Sequence, residues 1–331
     1  MASALSLPIR MEPSTLNLDK LAPVAVYTYT RHDHLVRTLE ALKRNHLAPH
    51  TVLYVVSDGP NSEAHRQQVQ RVRDFVDDLS GFREIVRVYR KENLGLRVSP
   101  PSAEKAILSD HGSIINMEDD NITSANYLDF INGGLQHFEH DPGVFSVCGY
   151  APPTAVPADE EGDFWYYPWN MSWGYGLWKA KYDAIHPLVN QYPARRRDGS
   201  LARQNRAGGL YISDSLKRDF EQKKYFPDAI LCTEMFVRGA RAIVPVRSKV
   251  QNTGQDGSGQ SSGLLTDKYD VRLDDGLRRQ FDFGAEARHA GAYRQAAEQL
   301  YNGGKLTRLA RRLGVFHELS DLRSRMLALK K

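Results

Sequence analysis

The chain has 331 residues, 41% of them hydrophobic and 10% aromatic, which supports a sizeable core and argues against wholesale disorder. Its net charge of +4 comes from dispersed bases with no RNA-binding signature or helix-turn-helix pattern, so nucleic acid is not an expected partner. No apolar run approaches the roughly 18 residues of a membrane span, the N-terminus lacks a signal-peptide core, and Cys148 and Cys232 sit in apolar contexts without disulfide-framework or zinc spacing, so a soluble, cytoplasmic protein is expected.

Residues 1–22 read as an irregular leader, and from Pro23 strands and helices alternate. Val24 to Tyr29 is a strand, and Asp33 to Asn45 a helix with Leu35, Leu39 and Leu42 on one face. Thr51 to Ser57 is a second strand that must turn at Asp58-Gly59-Pro60. Glu63 to Leu79 is a polar helix with Val69, Val72 and Val76 inward, and Ile85 to Tyr89 a third strand. A short helix near Ser102 to Ser109 leads to the apolar strand Ser113 to Met117, after which Ser124 is placed to cap a helix carrying Tyr127, Ile131, Leu135 and Phe138. Val144 to Gly149 is a further strand. This alternation implies a mostly parallel sheet with helices on both faces.

The texture changes after Tyr150. Residues 151–175 hold four prolines among Trp165, Tyr166, Tyr167, Trp169 and Trp173, too irregular for one regular element. The stretch is either a loop packed by its own aromatics or a sugar-binding wall, since aromatic faces stack on pyranose rings. Residues 195–209 read as an exposed basic loop, Tyr211 to Lys224 and Ala229 to Arg238 as helices, and Ala242 to Val246 as a short strand. Residues 251–263 are rich in glycine and small polar residues, and helices resume from Ala285, with Leu306, Leu309, Leu313 and Phe316 on one face. His32, His34, His46 and His50 read as surface residues.

The most informative run is Glu118-Asp119-Asp120-Asn121, placed at the end of a strand. Adjacent carboxylates repel one another, and a hard divalent cation with oxygen ligands offsets that repulsion. The carboxyl edge of a parallel sheet is also where open α/β proteins bind ligands. An acidic turn that starts a helix accounts for the same residues equally well. The other strand ends carry Thr30-Arg31, Asp58 and Lys91-Glu92-Asn93, and bases beside acids suit a metal-bridged diphosphate. Asp58 either accepts from a nucleobase or shapes the turn with Gly59. Asp228 is either a general base for an acceptor hydroxyl or a helix cap. No Walker A or G-x-G-x-x-G sequence follows the first strand, and no nucleophile elbow is present.

Taken together, Thr28-Tyr29-Thr30-Arg31, Ser57-Asp58-Gly59-Pro60, Glu92-Asn93-Leu94-Gly95, Met117-Glu118-Asp119-Asp120 and the Asn252-x-Gly-x-Asp-Gly-Ser-Gly loop resemble bacterial family 2-like glycosyltransferases. These have the GT-A nucleotide-diphospho-sugar transferase fold and share their layout with N-acetylglucosaminyltransferase I. The run Met171 to Trp178 resembles their Trp-Gly-Trp-x-x-Trp segment, and the match covers about Pro23 to Gly263. The resemblance implies that Asp120 binds Mn2+ or Mg2+. It places Thr28, Thr30, Arg31, Asp58, Lys91, Asn93, Glu118, Asp119, Gly257 and Ser258 around the donor, and Trp173, Gly174 and Tyr175 on the acceptor side. Asp228 matches the catalytic base, with Pro227 where the family usually has a tryptophan and Glu234 as the second candidate.

The expected layout is a GT-A domain over residues 23–284, its nucleotide-binding half at 23–150 and its acceptor-side half at 151–284, followed by a basic helical tail at 285–331. The expected activity is a metal-dependent, inverting transfer of a sugar, hexosyl or N-acetylhexosaminyl, from a nucleotide-diphosphate donor. The resemblance favours UDP, and a glycan or lipid-linked hydroxyl is the acceptor. A nucleotidyltransferase and a non-catalytic carbohydrate-binding protein are the competing readings. The tail is either a solvated appendage or homodimer element, or a peripheral contact with anionic lipid.

Overall fold

A computed structural model of the chain describes residues 16–258, 267–313 and Phe316. Strand β1 (Val24–Thr28) is followed by α1 (His32–Lys43), β2 (Val52–Ser57), α2 (Glu63–Asp77) and β3 (Glu84–Tyr89). Next come α3 (Ser99–His111), β4 (Ser113–Glu118), the short β5 (Asn121–Thr123), α4 (Tyr127–His137) and β6 (Val144–Cys148). Strands β7 (Phe164–Tyr167) and β8 (Tyr175–Trp178) precede five helices: α5 (Lys179–Asp183), α6 (Tyr192–Arg197), α7 (Ser200–Arg206), α8 (Leu210–Gln222) and α9 (Pro227–Val237). The described chain closes with β9 (Arg241–Pro245), β10 (Val250–Asn252), α10 (Ala290–Asn302) and α11 (Lys305–Leu313).

Eight strands form one sheet in the order β3-β2-β1-β4-β8-β6-β9-β7. The first four are parallel, β8 runs against both β4 and β6, β9 is parallel to β6, and β7 is antiparallel to β9. The register sets Thr28 beside Ser57 and Tyr27 beside Glu118, so the expected strand ends share one edge. β5 and β10 make a separate antiparallel ribbon that pairs Asn121 with Asn252. The mixed sheet with packed helices realises the expected α/β class.

The local chemistry explains several element boundaries. Pro100 and Pro101 fall in the first turn of α3, where a missing N–H costs nothing, and Gly112 at φ +76° ends it in the left-handed cap. Ser124 does not cap α4: its Oγ donates to Asn126 Oδ1 at 2.8 Å, and Asn126 occupies the cap position without a side-chain bond to the helix. The aromatic stretch contains two strands. Trp165, Tyr167 and Trp169 are at most 2% exposed, so none offers a face to a sugar. Gly176 in β8 lies against Ile131 and Leu135, where a methyl group would come within 2.8 Å of Ile131, and this close approach lets α4 cross the strand.

The basic segment at 195–209 folds as α6 and α7 rather than a loop, because Arg195 forms a fork with the buried Glu234 of α9. His34 pairs with Asp256 and His46 with the buried Asp129, so both serve as tethers rather than plain surface residues. Ala290, Tyr293 and Ala297 of α10 join the same core as the sheet. Among the described residues, no helix is long and apolar enough to cross a membrane.

Candidate active site at the carboxyl edge of the parallel strands

The acidic run splits into residues tied into the fold and a residue open to a cleft. Asp119 accepts from Thr28 Oγ1 at 3.0 Å and forms a close ion pair with Arg31 Nη2. Its backbone carbonyl takes the Thr38 hydroxyl. Asp120 Oδ1 accepts from Asn121 Nδ2 at 2.9 Å and Asn252 Nδ2 at 2.7 Å, while Oδ2 faces Arg31 Nη1 at 2.9 Å. Burial raises the Asp119 pKa even though Arg31 opposes it, and Asp119 and Asp120 lift the Arg31 pKa against the effect of its own burial. Arg31 Nη1 lies on Asp120 and Nη2 on Asp119, so the guanidinium is engaged by the acidic cluster.

The glycine-rich loop packs directly on this cluster. Thr253 N donates to the Asp120 carbonyl, and a methyl group on Gly254 would come within 2.0 Å of Asp120 Oδ2. Gly254 is therefore required for close backbone approach. Gly257, at φ +88°, and Ser258 lie just beyond, where Asp256 accepts from both the N–H and the hydroxyl of Ser258. His34 of α1 pairs with Asp256 at 3.1 Å and holds this stretch over the site. Gly259 and Gly263 lie outside the described residues.

Asp58 organises the neighbouring loop. Its Oδ1 accepts from the N–H groups of Gly59 at 2.9 Å and Leu94 at 3.0 Å, and its Oδ2 from Gly95 N–H at 2.8 Å. Asn93 Nδ2 donates to the Gly59 carbonyl, and the Arg73 guanidinium donates to the carbonyls of Asp58 and Arg90. The turn reading of Asp58 is thus realised in full. Lys91 is exposed beside this loop, and Thr30 is half-buried at the entry to α1.

Glu118 and Asp228 face a shared cleft of about 300 Å³, lined also by Tyr27, Glu104, Asn116 and Tyr175. Glu118 meets the cleft's solvent but is walled by protein elsewhere. Burial, followed by the charges of Asp120, Asp228 and Asp119, pushes its pKa up to about 8. Asp228 sits in the first turn of α9, with Ser172 Oγ donating to its Oδ1 at 2.7 Å. Burial raises its pKa, and that hydrogen bond opposes the rise. Glu234 is not brought to the cleft: both oxygens are held by Arg195 at 3.0 and 2.8 Å, and Oε2 also by Arg238 at 2.6 Å. Trp173 packs edge-on to Tyr150 and Tyr269 rather than facing the cleft, and Gly174 at φ +69° fits beneath Tyr127.

Three contributors carried no individual role in the sequence expectations, Glu104, Asn116 and Ser172, and two more, Asn252 and Gly254, entered only as part of the loop motif. Glu104 accepts from Asn116 Nδ2 at 2.6 Å, Asn116 Oδ1 accepts from Tyr27, and burial pushes the Glu104 pKa up to about 7. A lone glutamate inside a polar helix carries no sequence signal. Asn252 and Gly254 stood within the quoted loop motif, and their fit to Asp120 was the missing information.

Asp119 and Asp120 meet Arg31, and Glu118 lies between them and Asp228, a carboxyl-rich set whose oxygen chemistry fits a hard divalent cation. Among the described residues no three His, Cys, Asp or Glu side chains are arranged to hold a metal by themselves, so a cation here would complete its shell with water or ligand oxygens.

No protein-family profile matches the chain, and no curated protein sequence matches it. Among solved structures, it is similar to S. aureus TarS 1-349, with 11% identity and a TM-score of 0.43 over 70% of this chain and 60% of that one. It is also similar to the mannosyltransferase PcManGT from Pyrobaculum calidifontis in complex with GDP-Man and Mn2+. That match has 13% identity and a TM-score of 0.37 over 69% of this chain and 74% of the other. The chain therefore spans less than two thirds of the TarS chain.

Proposed function

We propose that the chain is an inverting GT-A-type glycosyltransferase that moves a sugar from a nucleoside-diphosphate donor to a hydroxyl of a glycan or lipid-linked acceptor. The observation that carries this reading is the shared cleft: Asp228 and Glu118 open into it beside the Arg31–Asp119–Asp120 cluster. Asp228, open to the cleft and oriented by Ser172, takes the acceptor proton as the hydroxyl attacks the anomeric carbon. Arg31, held on Asp119 and Asp120, supplies positive charge beside the diphosphate. Asp58 fixes the loop at 93–95 that borders the base and ribose, and Lys91 adds charge at its rim. A divalent cation at Asp120, with Glu118 beside it, would supply charge neutralisation to the leaving diphosphate.

The test combines binding with product analysis. UDP- and GDP-sugars, each with Mn2+ or with chelator, should raise the melting temperature only for the cognate donor with the metal. Turnover should release free nucleoside diphosphate. Release of pyrophosphate, or glycan binding indifferent to nucleotide, would sink the reading.

A further inference from the structure

Helix α11 is oriented against the usual logic of an amphipathic helix. Leu306, Leu309 and Leu313 share one face and are 83%, 53% and 67% exposed. The side turned to the protein instead carries Arg311, whose guanidinium is ion-paired with the half-buried Asp214 of α8. Lys305, Arg308 and Arg312 are exposed around the leucines, and no acid occurs in Lys305–Leu313. Arg218 and Lys268 also lie within the field of Arg311, with Asp214 opposing them and Glu298 facing Arg308.

We propose that α11 docks the protein on an anionic lipid surface, independently of the function assigned to the cleft. Nine residues make a helix about 13 Å long, far short of the roughly 30 Å needed to cross a bilayer. It therefore lies in the interface plane, with the three leucines at the headgroup–acyl boundary and Lys305, Arg308 and Arg312 against lipid phosphates. Charge selects this occupant over a second copy of the chain, because pairing α11 with itself would bring the same cations together without an acid to offset them. The Arg311–Asp214 pair fixes the outward orientation of the leucines before any membrane is met.

The test is co-sedimentation of the full chain with vesicles of phosphatidylcholine alone or mixed 3:1 with phosphatidylglycerol, at low and high salt. The expected result is at least tenfold stronger binding to the anionic vesicles at low salt, weakened by added salt. Leu306→Asp with Leu309→Asp should abolish it without lowering the melting temperature, since both side chains are exposed. Lys305→Gln with Arg308→Gln and Arg312→Gln should remove the salt dependence. Three outcomes overturn the proposal: no sedimentation at low salt, binding indifferent to the leucine variant, or a leucine variant that turns a dimer into a monomer with no vesicle effect. A leucine variant that melts several degrees lower without changing sedimentation would show the stripe to be covered by the chain itself, and likewise overturns it.

Discussion

Two groups of acids lie side by side at one sheet edge and have opposite environments. Asp58, Asp119 and Asp120 are saturated by the protein: three backbone N–H groups, a threonine hydroxyl, two asparagine amides and the Arg31 guanidinium take their oxygens. Glu118, Asp228 and Glu104 share the cleft, where burial raises all three pKa values and the hydrogen bonds found are neutral, from Ser172 and Asn116. The first group is held in position by these partners. The second retains reactive lone pairs, so proximity in sequence, as between Glu118 and Asp119, does not make two carboxylates equivalent.

The largest expected effect lies at Asp228. Asp228→Asn should cut turnover by roughly 10²–10⁴-fold while the donor-induced rise in melting temperature stays intact. Turnover within a few-fold of wild type would move the proton acceptor elsewhere. At Arg31 the expected effect is on stability. Arg31→Ala strands Asp119 and Asp120 without their counter-ion and should cost about 3 kcal/mol in urea unfolding at pH 7; a loss below about 0.5 kcal/mol would mean the pair is spectator chemistry. Asp58→Ala leaves the N–H groups of Gly59, Leu94 and Gly95 unpaired and should cost about 1–3 kcal/mol, with faster proteolysis at the 92–95 loop. Unchanged cleavage there would show that the loop holds itself.

The smallest effect concerns Glu104 and has a definite sign. Its folded pKa is raised from 4.5 to about 7, so between those values the unfolded chain gives up a proton that the folded chain keeps. Folding is unpenalised below 4.5 and progressively loses stability as pH rises through 7. Glu104→Gln should therefore melt above wild type at about pH 8 and level with it near pH 4.5. A gap of equal size at both values would reject the titration.

The nucleotide-side half was legible because buried parallel strands such as Ser113 to Met117 read as uninterrupted apolar runs bounded by turn residues. Strands β7 and β8 were not, because prolines and bulky aromatics around Phe164–Tyr167 and Tyr175–Trp178 mask a period of two. The three-residue ribbon strands fall below any periodicity signal. Helices α6 and α7 hid under charge, since the partner that fixes Arg195 is Glu234, on another helix. At the site, the acidic run was visible from its placement after a strand. Asp228 read equally as a general base or a helix cap until the resemblance matched it to the catalytic base, and Ser172, which orients it, belongs to a segment read as acceptor wall.

Asp120 also carries a schedule. Its Oδ1 completes its hydrogen bonding with Asn252, 132 residues further along the chain. At a synthesis rate of about 5–20 residues per second, roughly 7–26 seconds pass between the emergence of the two. Throughout that interval the parallel strands can assemble, yet the acidic edge lacks the amide and the glycine backbone that close over it. The four parallel strands are thus a scaffold available early, and the charged centre is completed only when its own loop arrives.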